Sequence, residues 1–257
     1  MSKSRQPAPG SQPPGSADEA TAARTVRRLF SEVSPRYDLL NHLLSLNTDR
    51  YWRRIAARQF RHLLTRPGAR VLDLCCGTAD LTLALARQGS ARIISCDFSH
   101  AMLLRARRKL YSCRQPPLVA EADALQLPFP DGCFDLVACS FGFRNLVNYR
   151  RGLQEIRRVL RPEGEAAILE FSEPQGRWVG PFYSFYFRHV LPAVGEWISG
   201  VPGAYSYLPR SVDQFPDRKQ FLEWMQAAGF AAPTARPLTG GIAVLYAGRK
   251  PSPETSK

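Results

Sequence analysis

Apolar residues recur at three- and four-residue steps through the first quarter of the chain. From Arg24 to Leu64 this period predicts helices that each bury one face. Pro35 falls inside the periodic run and predicts a break or kink, because proline cannot donate a helical hydrogen bond. The dipeptide Pro67-Gly68 then marks a turn, after which the pattern changes. The folded part of the chain is therefore expected to begin with a group of helices.

Beyond this turn, short apolar runs alternate with amphipathic runs of helical length. The predicted strands are Arg70–Cys75, Arg92–Cys96, Leu118–Ala122, Cys133–Ser140, Ala166–Phe171 and Ile242–Ala247, with another beginning at Phe230. The predicted helices are Ala79–Arg87, Ala101–Leu110, Tyr149–Leu160 and Lys219–Ala228. Such alternation forms βαβ units, whose right-handed crossovers place helices on both faces of a parallel sheet. The prediction is an α/β fold with a Rossmann-like, doubly wound and mostly parallel sheet.

Two stretches stand outside this alternation. Pro181–Ile198 is rich in Phe, Tyr and Trp and predicts an aromatic helical insertion, which could line an apolar channel or simply pack. Met1–Ala20 is rich in Ser, Pro, Gly and Gln and lacks the apolar segment of a secretory signal, which is typical of a disordered tail. We therefore expect a tail over residues 1–23 and a single domain over residues 24–257.

The charge of the chain points to an anionic partner. Its formal net charge is +13, and ten arginines against three acidic residues lie between Arg24 and Arg66. Nucleic acid, anionic lipid or an acidic substrate would each fit, as would a solvated basic surface without a partner. No apolar run reaches the roughly 18 residues of a spanning helix, so none is predicted.

The cysteines and histidines do not suggest a metal site. Six cysteines include no CxxC pair, and several fall in apolar runs, which favours reduced, buried thiols in a cytosolic protein. The four histidines stand at no ligand spacing relative to them, so no metal is expected.

The first candidate site is the segment Val71–Asp80, where a predicted strand ends and a helix begins. Ligands of open α/β sheets bind over this turn, and Gly77 lets the backbone approach them. The GxGxxG fingerprint of dinucleotide sites is absent, while Asp73 suits a cationic ligand such as the ammonium group of S-adenosylmethionine (SAM). The plain alternative is an ordinary turn with Thr78 as helix N-cap.

Acidic residues follow the next two strands. Asp97 ends the second strand, where a carboxylate can accept hydrogen bonds from a ribose diol; otherwise it is a surface or capping acid. Asp123 and Ala124 follow the third strand, where an acidic loop can meet the exocyclic amine of adenine; otherwise this is a polar loop. Such a layout is common in SAM enzymes.

The segment Ser140–Asn145 lies just beyond the fourth strand, at the rim of the expected crevice. Ser140 is placed to touch the cofactor. Arg144 is the candidate catalytic residue, because its charge would stabilise a phenolate; a structural salt bridge is the alternative. His189, in the aromatic stretch, is either a base or a core or capping residue.

The order of these motifs resembles the ubiquinone/menaquinone biosynthesis C-methyltransferase family. The matching pieces are Val33–Asn41, Trp52-Arg53-Arg54, Val71–Asp80, Leu127–Asp135, Ser140–Asn145, Val159–Gly164, Leu169–Ser172, Tyr205–Leu208 and Leu238–Ile242. The segments VSPRYDLLN and SFGFRN are the most specific. Three positions depart from the family: Ala79 replaces a frequent Gly, Asp123 replaces an Asn, and Tyr246 stands where a His occurs, so no base is assigned there.

The resemblance implies methylation by SAM of a ring carbon in a polyprenylated quinol. It places SAM contacts on Thr78, Asp97, Asp123-Ala124 and Ser140, beside Asp73 and Gly77. The Cys75-Cys76 form of the turn resembles menaquinone-type members of the family. Demethylmenaquinol is therefore the first candidate substrate, and a ubiquinone precursor is the second. An RNA methyltransferase and a non-catalytic binding module are the other readings, although no nucleic-acid module is recognisable.

A lipid substrate further implies a cytoplasmic protein that visits the inner membrane face. We expect transient contact through the arginine-rich N-terminal helices, with Arg53, Arg54, Arg58 and Arg61 facing the lipid. No nucleic-acid partner is expected, and a homodimer is possible.

Overall fold

The first helices lie where the sequence periodicity places them. The computed structural model describes residues 10–13, 16–113, 116–172, 174, 186 and 207–252. Its helices are α1 (Glu19–Val33), α2 (Tyr37–Leu44), α3 (Thr48–Gln59), α4 (Arg61–Leu64), α5 (Asp80–Ala86), α6 (His100–Leu110), α7 (Tyr149–Val159), α8 (Tyr207–Gln214) and α9 (Arg218–Ala227). Pro35 does break the first periodic run, since Ser34–Arg36 forms a 3₁₀ turn between α1 and α2.

The expected tail boundary at residue 24 falls inside α1. The carboxylate of Asp18 accepts a hydrogen bond from the backbone N–H of Thr21 and so caps a helix that begins at Glu19. Ala22 is 3% exposed and belongs to the main core. Upstream, the backbone N–H of Ser11 donates to the carbonyl of Leu146 at 2.7 Å. Part of the segment assigned to the tail therefore contacts the domain.

The strands form one seven-stranded sheet. They are β1 (Arg70–Leu74), β2 (Arg92–Asp97), β3 (Leu118–Glu121), β4 (Phe134–Ser140), β5 (Leu160–Phe171), β6 (Ala231–Leu238) and β7 (Ala243–Arg249), in the order β3-β2-β1-β4-β5-β7-β6. The first five are parallel, and β7 runs antiparallel to both of its neighbours. This arrangement confirms the predicted Rossmann-like, mostly parallel sheet.

Helices cover both faces of the sheet. Leu72 and Leu74 of β1 pack in a core that includes α7 and α9, whereas Val71 packs in a second core with α3 and α5. Side chains alternate between faces along a strand, so an apolar run such as β1 can supply both cores. The strand β5 begins directly after α7 with an irregular register against β4, and Glu163 there has a φ of +64°.

The strand order reverses between β1 and β4. Two chain crossovers leave this point in opposite directions, and the carboxyl ends of the two strands frame a crevice. The predicted aromatic insertion Pro181–Ile198 lies outside the described residues apart from Tyr186, which contacts the core around Val33 and Leu40. Within the described part of the chain, no helix has the length and apolarity needed to span a bilayer.

Candidate active site

A cavity of about 480 Å³ opens at the carboxyl ends of β1, β2 and β4. It lies at the reversal of strand order, where open α/β sheets bind ligands, and its volume suits a small molecule. Its lining includes six of the seven residues predicted to contact the cofactor: Gly77, Thr78, Asp97, Asp123, Ala124 and Ser140. Residues of α1 and Tyr37 at the start of α2 contribute further lining.

The turn after β1 has an unusual backbone. Cys75, Gly77 and Ala79 all adopt positive φ, at +55°, +54° and +72°. Glycine adopts positive φ without steric cost, whereas Cys75 and Ala79 are strained there, as residues at functional sites often are. A Cβ at Gly77 would lie 3.8 Å from Tyr37 Cε1, so the aromatic ring covers the turn.

Asp97 stands at the end of β2 and joins it to this turn. Its carboxylate accepts hydrogen bonds from the backbone N–H groups of Gly77 and Ser99, each at 2.9 Å. Burial raises its pKa to about 6, although these two bonds work in the opposite direction. The bond from Ser99 forms a turn before α6, whose N-cap is Ser99, so Asp97 does not cap that helix. Its carboxylate lines the cavity.

Asp73 lies behind the cavity rather than in its lining. Its side chain is fully buried and accepts a 2.5 Å hydrogen bond from Thr82 Oγ1. Burial raises the pKa of Asp73 to about 7, although the bond from Thr82 acts to lower it. The other carboxylate oxygen, Oδ1, has no hydrogen-bond partner. The structure thus leaves an unsatisfied carboxylate oxygen beneath the turn, but it does not place Asp73 on the cavity surface.

Thr78 does not cap α5. The N-cap residue is Ala79, which makes no side-chain cap bond, so the capping alternative for Thr78 is wrong. Instead Thr78 Oγ1 donates to Asp38 of α2 and accepts from Lys109 Nζ of α6 at 3.0 Å. Lys109 also pairs with Asp38 and Asp80, both at 2.7 Å. This network fixes the turn between two helices.

The loop after β3 forms another wall. Asp123 is exposed, lines the cavity, and accepts a 2.8 Å bond from the backbone N–H of Leu125. Ala124 is 5% exposed and lines the same wall. Phe98, the residue directly after the end of β2, also lines the cavity. The sequence reasoning did not single out Phe98, although it follows a predicted site residue.

Arg53 is the main correction to the predicted site. It was expected to face lipid, but it is 7% exposed, lines the cavity and pairs with Asp49. Its Nε donates to Ser140 Oγ at 3.2 Å, and its guanidinium lies 5.1 Å from the centre of the Phe141 ring. Sequence reasoning counted it with its exposed neighbours because the charge of a helical arginine does not reveal its face.

Asp49, which holds Arg53, belongs to a buried group of polar residues. Burial would raise the pKa of Asp49, but the Arg53 guanidinium and the Ser45 hydroxyl hold it below its usual value. His42, Asp49 and Asp80 bring three ligand-type atoms within 4.8 Å of one another. Arg53 pairs with Asp49 and Lys109 pairs with Asp80, so each of the two carboxylates has a cationic partner.

Arg144 is buried and paired, as the structural alternative proposed. Its Nη1 lies 3.1 Å from Glu170 Oε2, and its Nε donates to Ser211 Oγ at 3.2 Å. It is not in the cavity lining, so direct contact with a ligand stays a prediction. Its charge does reach Tyr37: burial raises the pKa of that phenol, and Arg144 and Arg53 oppose the increase.

Two positions bear on the question of a general base: Tyr246, where the sequence assigns none, and His189, the candidate. Tyr246 is 1% exposed and packs 4.6 Å from the Phe221 ring, within the core and away from the cavity. His189 lies outside the described residues.

The comparisons with known proteins agree on one family. Residues 17–250 match the model of the ubiE/COQ5 methyltransferase family. The chain is 46% identical over 224 residues to a demethylmenaquinone methyltransferase of Thermus thermophilus, covering 87% of this chain and all of that protein. It is 42% identical to a demethylmenaquinone methyltransferase of Deinococcus radiodurans, over 92% and 97% of the two chains. It is 45% identical to the ubiquinone/menaquinone biosynthesis C-methyltransferase UbiE of Geobacter sulfurreducens, over 88% of each.

Solved structures share the fold at low sequence identity. A SAM-dependent methyltransferase from Aquifex aeolicus superposes with a TM-score of 0.56 at 15% identity, over 76% of this chain and 89% of that one. The [4+2]-cyclase SpnF reaches a TM-score of 0.59 at 18% identity, over 78% and 81%. These likenesses concern the fold alone, because one fold can host different reactions.

Proposed function

The chain belongs to the ubiE/COQ5 methyltransferase family and is a SAM-dependent methyltransferase, and we propose that it methylates a ring carbon of demethylmenaquinol to give menaquinol. The observation that carries the proposal is the gathering of Gly77, Thr78, Asp97, Asp123, Ala124 and Ser140 around one cavity. Relatives named demethylmenaquinone methyltransferase align over nearly the whole chain, which supports this substrate. Methylation of a ubiquinone precursor is the alternative, supported by the relative named UbiE.

The cavity offers suitable partners for each part of SAM. In the proposed pose, Asp97 accepts hydrogen bonds from the ribose hydroxyls, and the loop of Asp123 and Ala124 meets the adenine, with Phe98 on the adjacent wall. The unsatisfied Oδ1 of Asp73, beneath the turn, attracts the ammonium group through its charge or through a water.

Arg53 completes this set as the partner of the SAM carboxylate. Its guanidinium lines the cavity at the carboxyl end of β4, where the Asp49 carboxylate and the Phe141 ring hold it in place. An arginine in a largely dehydrated site binds a carboxylate strongly, because both groups are charged and the donors are fixed. Ser140, to which Arg53 donates, lies at the same end of the cavity and would contact the amino-acid part of SAM.

SAM supplies a methyl group bound to a positively charged sulfur, and the chain must present a nucleophilic ring carbon to it. A quinol carbon next to a hydroxyl becomes nucleophilic as the hydroxyl ionises, so the enzyme must hold the ring in line and stabilise the phenolate. Tyr37 is placed for this, since its ring covers Gly77 inside the cavity. Arg144 acts as a positioning residue whose positive charge favours negative charge near Tyr37.

A quinone-lipid profile in living cells tests this function. The chain and its Asp97→Ala variant are expressed in two bacterial hosts that lack their own quinone C-methyltransferase, one making menaquinone and one ubiquinone. We expect the native chain to restore methylated menaquinone and the variant to restore little. Restoration of ubiquinone alone would favour the alternative substrate, and restoration of neither lipid would reject the quinol proposal.

The proposed substrate carries an isoprenoid tail, so we further propose that the protein works at a membrane surface without spanning the membrane. A tail of this kind partitions into the bilayer, and the described helices are too short or too polar to cross it. The cytoplasmic face of a bacterial membrane is negatively charged, and the net charge of +13 suits it.

A further inference from the structure

The outer face of α2 exposes large apolar side chains to solvent. Leu39 is 61% exposed and Leu43, one helical turn later, is 48% exposed. Leu46, in the turn after the helix, is 82% exposed. The opposite face of α2 carries Leu40, which is fully buried, and Tyr37, which lines the cavity. A row of exposed leucines on one face of a helix is unusual for a surface that meets only water.

The next helix exposes a row of arginines. Arg50, Arg54 and Arg58 recur every four residues along α3, and Arg61 follows at the start of α4; all four are exposed. Tyr51, beside this row, is 56% exposed. The inner face of α3 carries Trp52 and Arg53 instead, which are buried. Basic side chains therefore occupy the side of α3 that faces away from the core.

The two rows are held together by the contacts between their helices. His42 of α2 lies 2.9 Å from Asp49 of α3, and Ser45 Oγ donates to the same carboxylate at 2.7 Å. We call the combined surface the α2–α3 face: Leu39, Leu43, Leu46, Tyr51, Arg50, Arg54, Arg58 and Arg61.

We propose that the α2–α3 face docks on an anionic lipid bilayer, an inference that rests on the proposed lipid substrate. The leucines enter the upper acyl region and the arginines bind lipid phosphates, while Tyr51 suits the boundary between the two. Charge complementarity selects this occupant, because a second copy of the chain would bring another row of arginines toward the same face.

Docking in this orientation places the cavity next to the bilayer. Tyr37, at the start of α2, contributes to the cavity wall, whereas Leu39 and Leu43 point to the other side of the same helix. A helix with its side chains is roughly 10 Å across, so the bilayer surface and the cavity are separated by about one helix. The quinol ring can then enter the cavity while its tail stays among the lipids.

Vesicle binding by the full-length protein tests the proposal. The apolar variant is Leu39→Gln/Leu43→Gln/Leu46→Asn, where Asn suits the positive φ of +51° at position 46. The basic variant is Arg50→Gln/Arg54→Gln/Arg58→Gln/Arg61→Gln. Matched controls on other surfaces are Leu104→Gln/Tyr111→Gln/Leu118→Gln and Arg87→Gln/Arg92→Gln/Arg107→Gln/Arg108→Gln, whose side chains are also exposed. The vesicles contain phosphatidylglycerol and phosphatidylcholine, with pure phosphatidylcholine for comparison.

We expect the apolar and basic variants each to bind the anionic vesicles at least tenfold more weakly than their matched controls, since each removes several favourable lipid contacts. Only the loss in the basic variant should shrink at high salt. Turnover of a vesicle-embedded quinol should fall with binding, whereas turnover of a short-chain quinol in solution stays at the native rate.

Binding equal to that of the controls would overturn the proposal. A native dimer that dissociates in the apolar variant while its vesicle binding is unchanged would also overturn it, because the face would then serve a second copy. If the native protein methylates no quinol in any form, the proposed function fails, and the vesicle-binding results still decide the docking surface.

Discussion

Two buried carboxylates at the ends of neighbouring strands have different surroundings. Asp97 lines the cavity and accepts two backbone hydrogen bonds, whereas Asp73 is fully buried and keeps one unsatisfied oxygen. Burial raises both pKa values, to about 6 and about 7. Only Asp97 is placed to accept hydroxyl donors from a ligand in the cavity.

Asp97 makes SAM binding depend on pH. Its ionised form accepts hydrogen bonds from the ribose, so bound SAM stabilises the carboxylate and affinity should fall as pH drops below about 6. Asp97→Asn should weaken binding by roughly 10- to 100-fold at neutral pH, as expected for a lost charged partner. In this variant the SAM affinity should also vary little with pH around pH 6, because asparagine does not ionise. Calorimetry of both proteins measures this, and native affinity in the variant would rule out the assigned role.

Arg53 and Arg54 form a matched pair of adjacent arginines. The first lines the cavity and the second is exposed on α3. We expect Arg53→Gln to weaken S-adenosylhomocysteine binding by roughly tenfold or more and Arg54→Gln to leave it unchanged. Affinity for methylthioadenosine, which lacks the carboxylate, should not change in either variant. An equal loss for both ligands in Arg53→Gln would indicate a structural role only.

At the scale of elements, two turns meet at the reversal of strand order. Gly142, after β4, packs against Cys75, after β1, so closely that a Cβ on Gly142 would lie 2.4 Å from the Cys75 Cβ. The cavity depends on this contact, because both turns belong to its lining.

Gly142→Ala should therefore destabilise the protein by roughly 1–3 kcal/mol and weaken SAM binding, because the turns must separate. Cys75→Gly removes the opposing Cβ and suits the positive φ at that position. The double variant should recover at least half of the lost stability in thermal melts. No recovery would show that other neighbours, such as Cys139, set the clash.

The segment before α1 offers a second prediction at this scale. Ser11 bonds to the carbonyl of Leu146 and to the hydroxyl of Tyr207, and Asp18 caps α1. Deleting residues 1–20 removes these contacts, and the lost cap alone accounts for about 1 kcal/mol. The melting temperature should fall by several degrees, at roughly 2–4 °C per kcal/mol. A deletion of residues 1–9 is the control, and equal melting temperatures for the two deletions would support the disordered tail expected from the sequence.

Helix and strand positions were predictable from periodicity, but the faces of the helices were not. The sequence places a helix at Ala101–Leu110, and α6 spans His100–Leu110. By contrast, no pattern of charge shows that Arg53 turns inward, because the acid that neutralises it, Asp49, lies one helical turn earlier in a basic segment. Arg144 was expected at the rim of the crevice, but it is buried outside the cavity lining and pairs with Glu170 of β5, which is distant in sequence.

At the scale of the whole molecule, the sheet was predictable because its central strands β1 and β4 are buried on both faces and therefore read as continuous apolar runs. The edge strand β6 is different. Exposed and half-buried residues alternate along most of it, and it contains Pro233 and Pro237. Proline cannot donate to a neighbouring strand, so this edge is protected against pairing with another chain. A homodimer, which the sequence left as a possibility, is therefore not expected to form by extending the sheet at β6.

In the proposed reaction, the cavity between β1 and β4 brings SAM and a quinol together. Incubation of the purified protein with methyl-deuterated SAM, demethylmenaquinol and total RNA tests it most directly, with product analysis by mass spectrometry and NMR. We expect one deuterated methyl group on the quinol ring carbon and none on RNA, with little transfer by Asp97→Ala. Label on a quinol oxygen, label on RNA, or full transfer by the variant would contradict it.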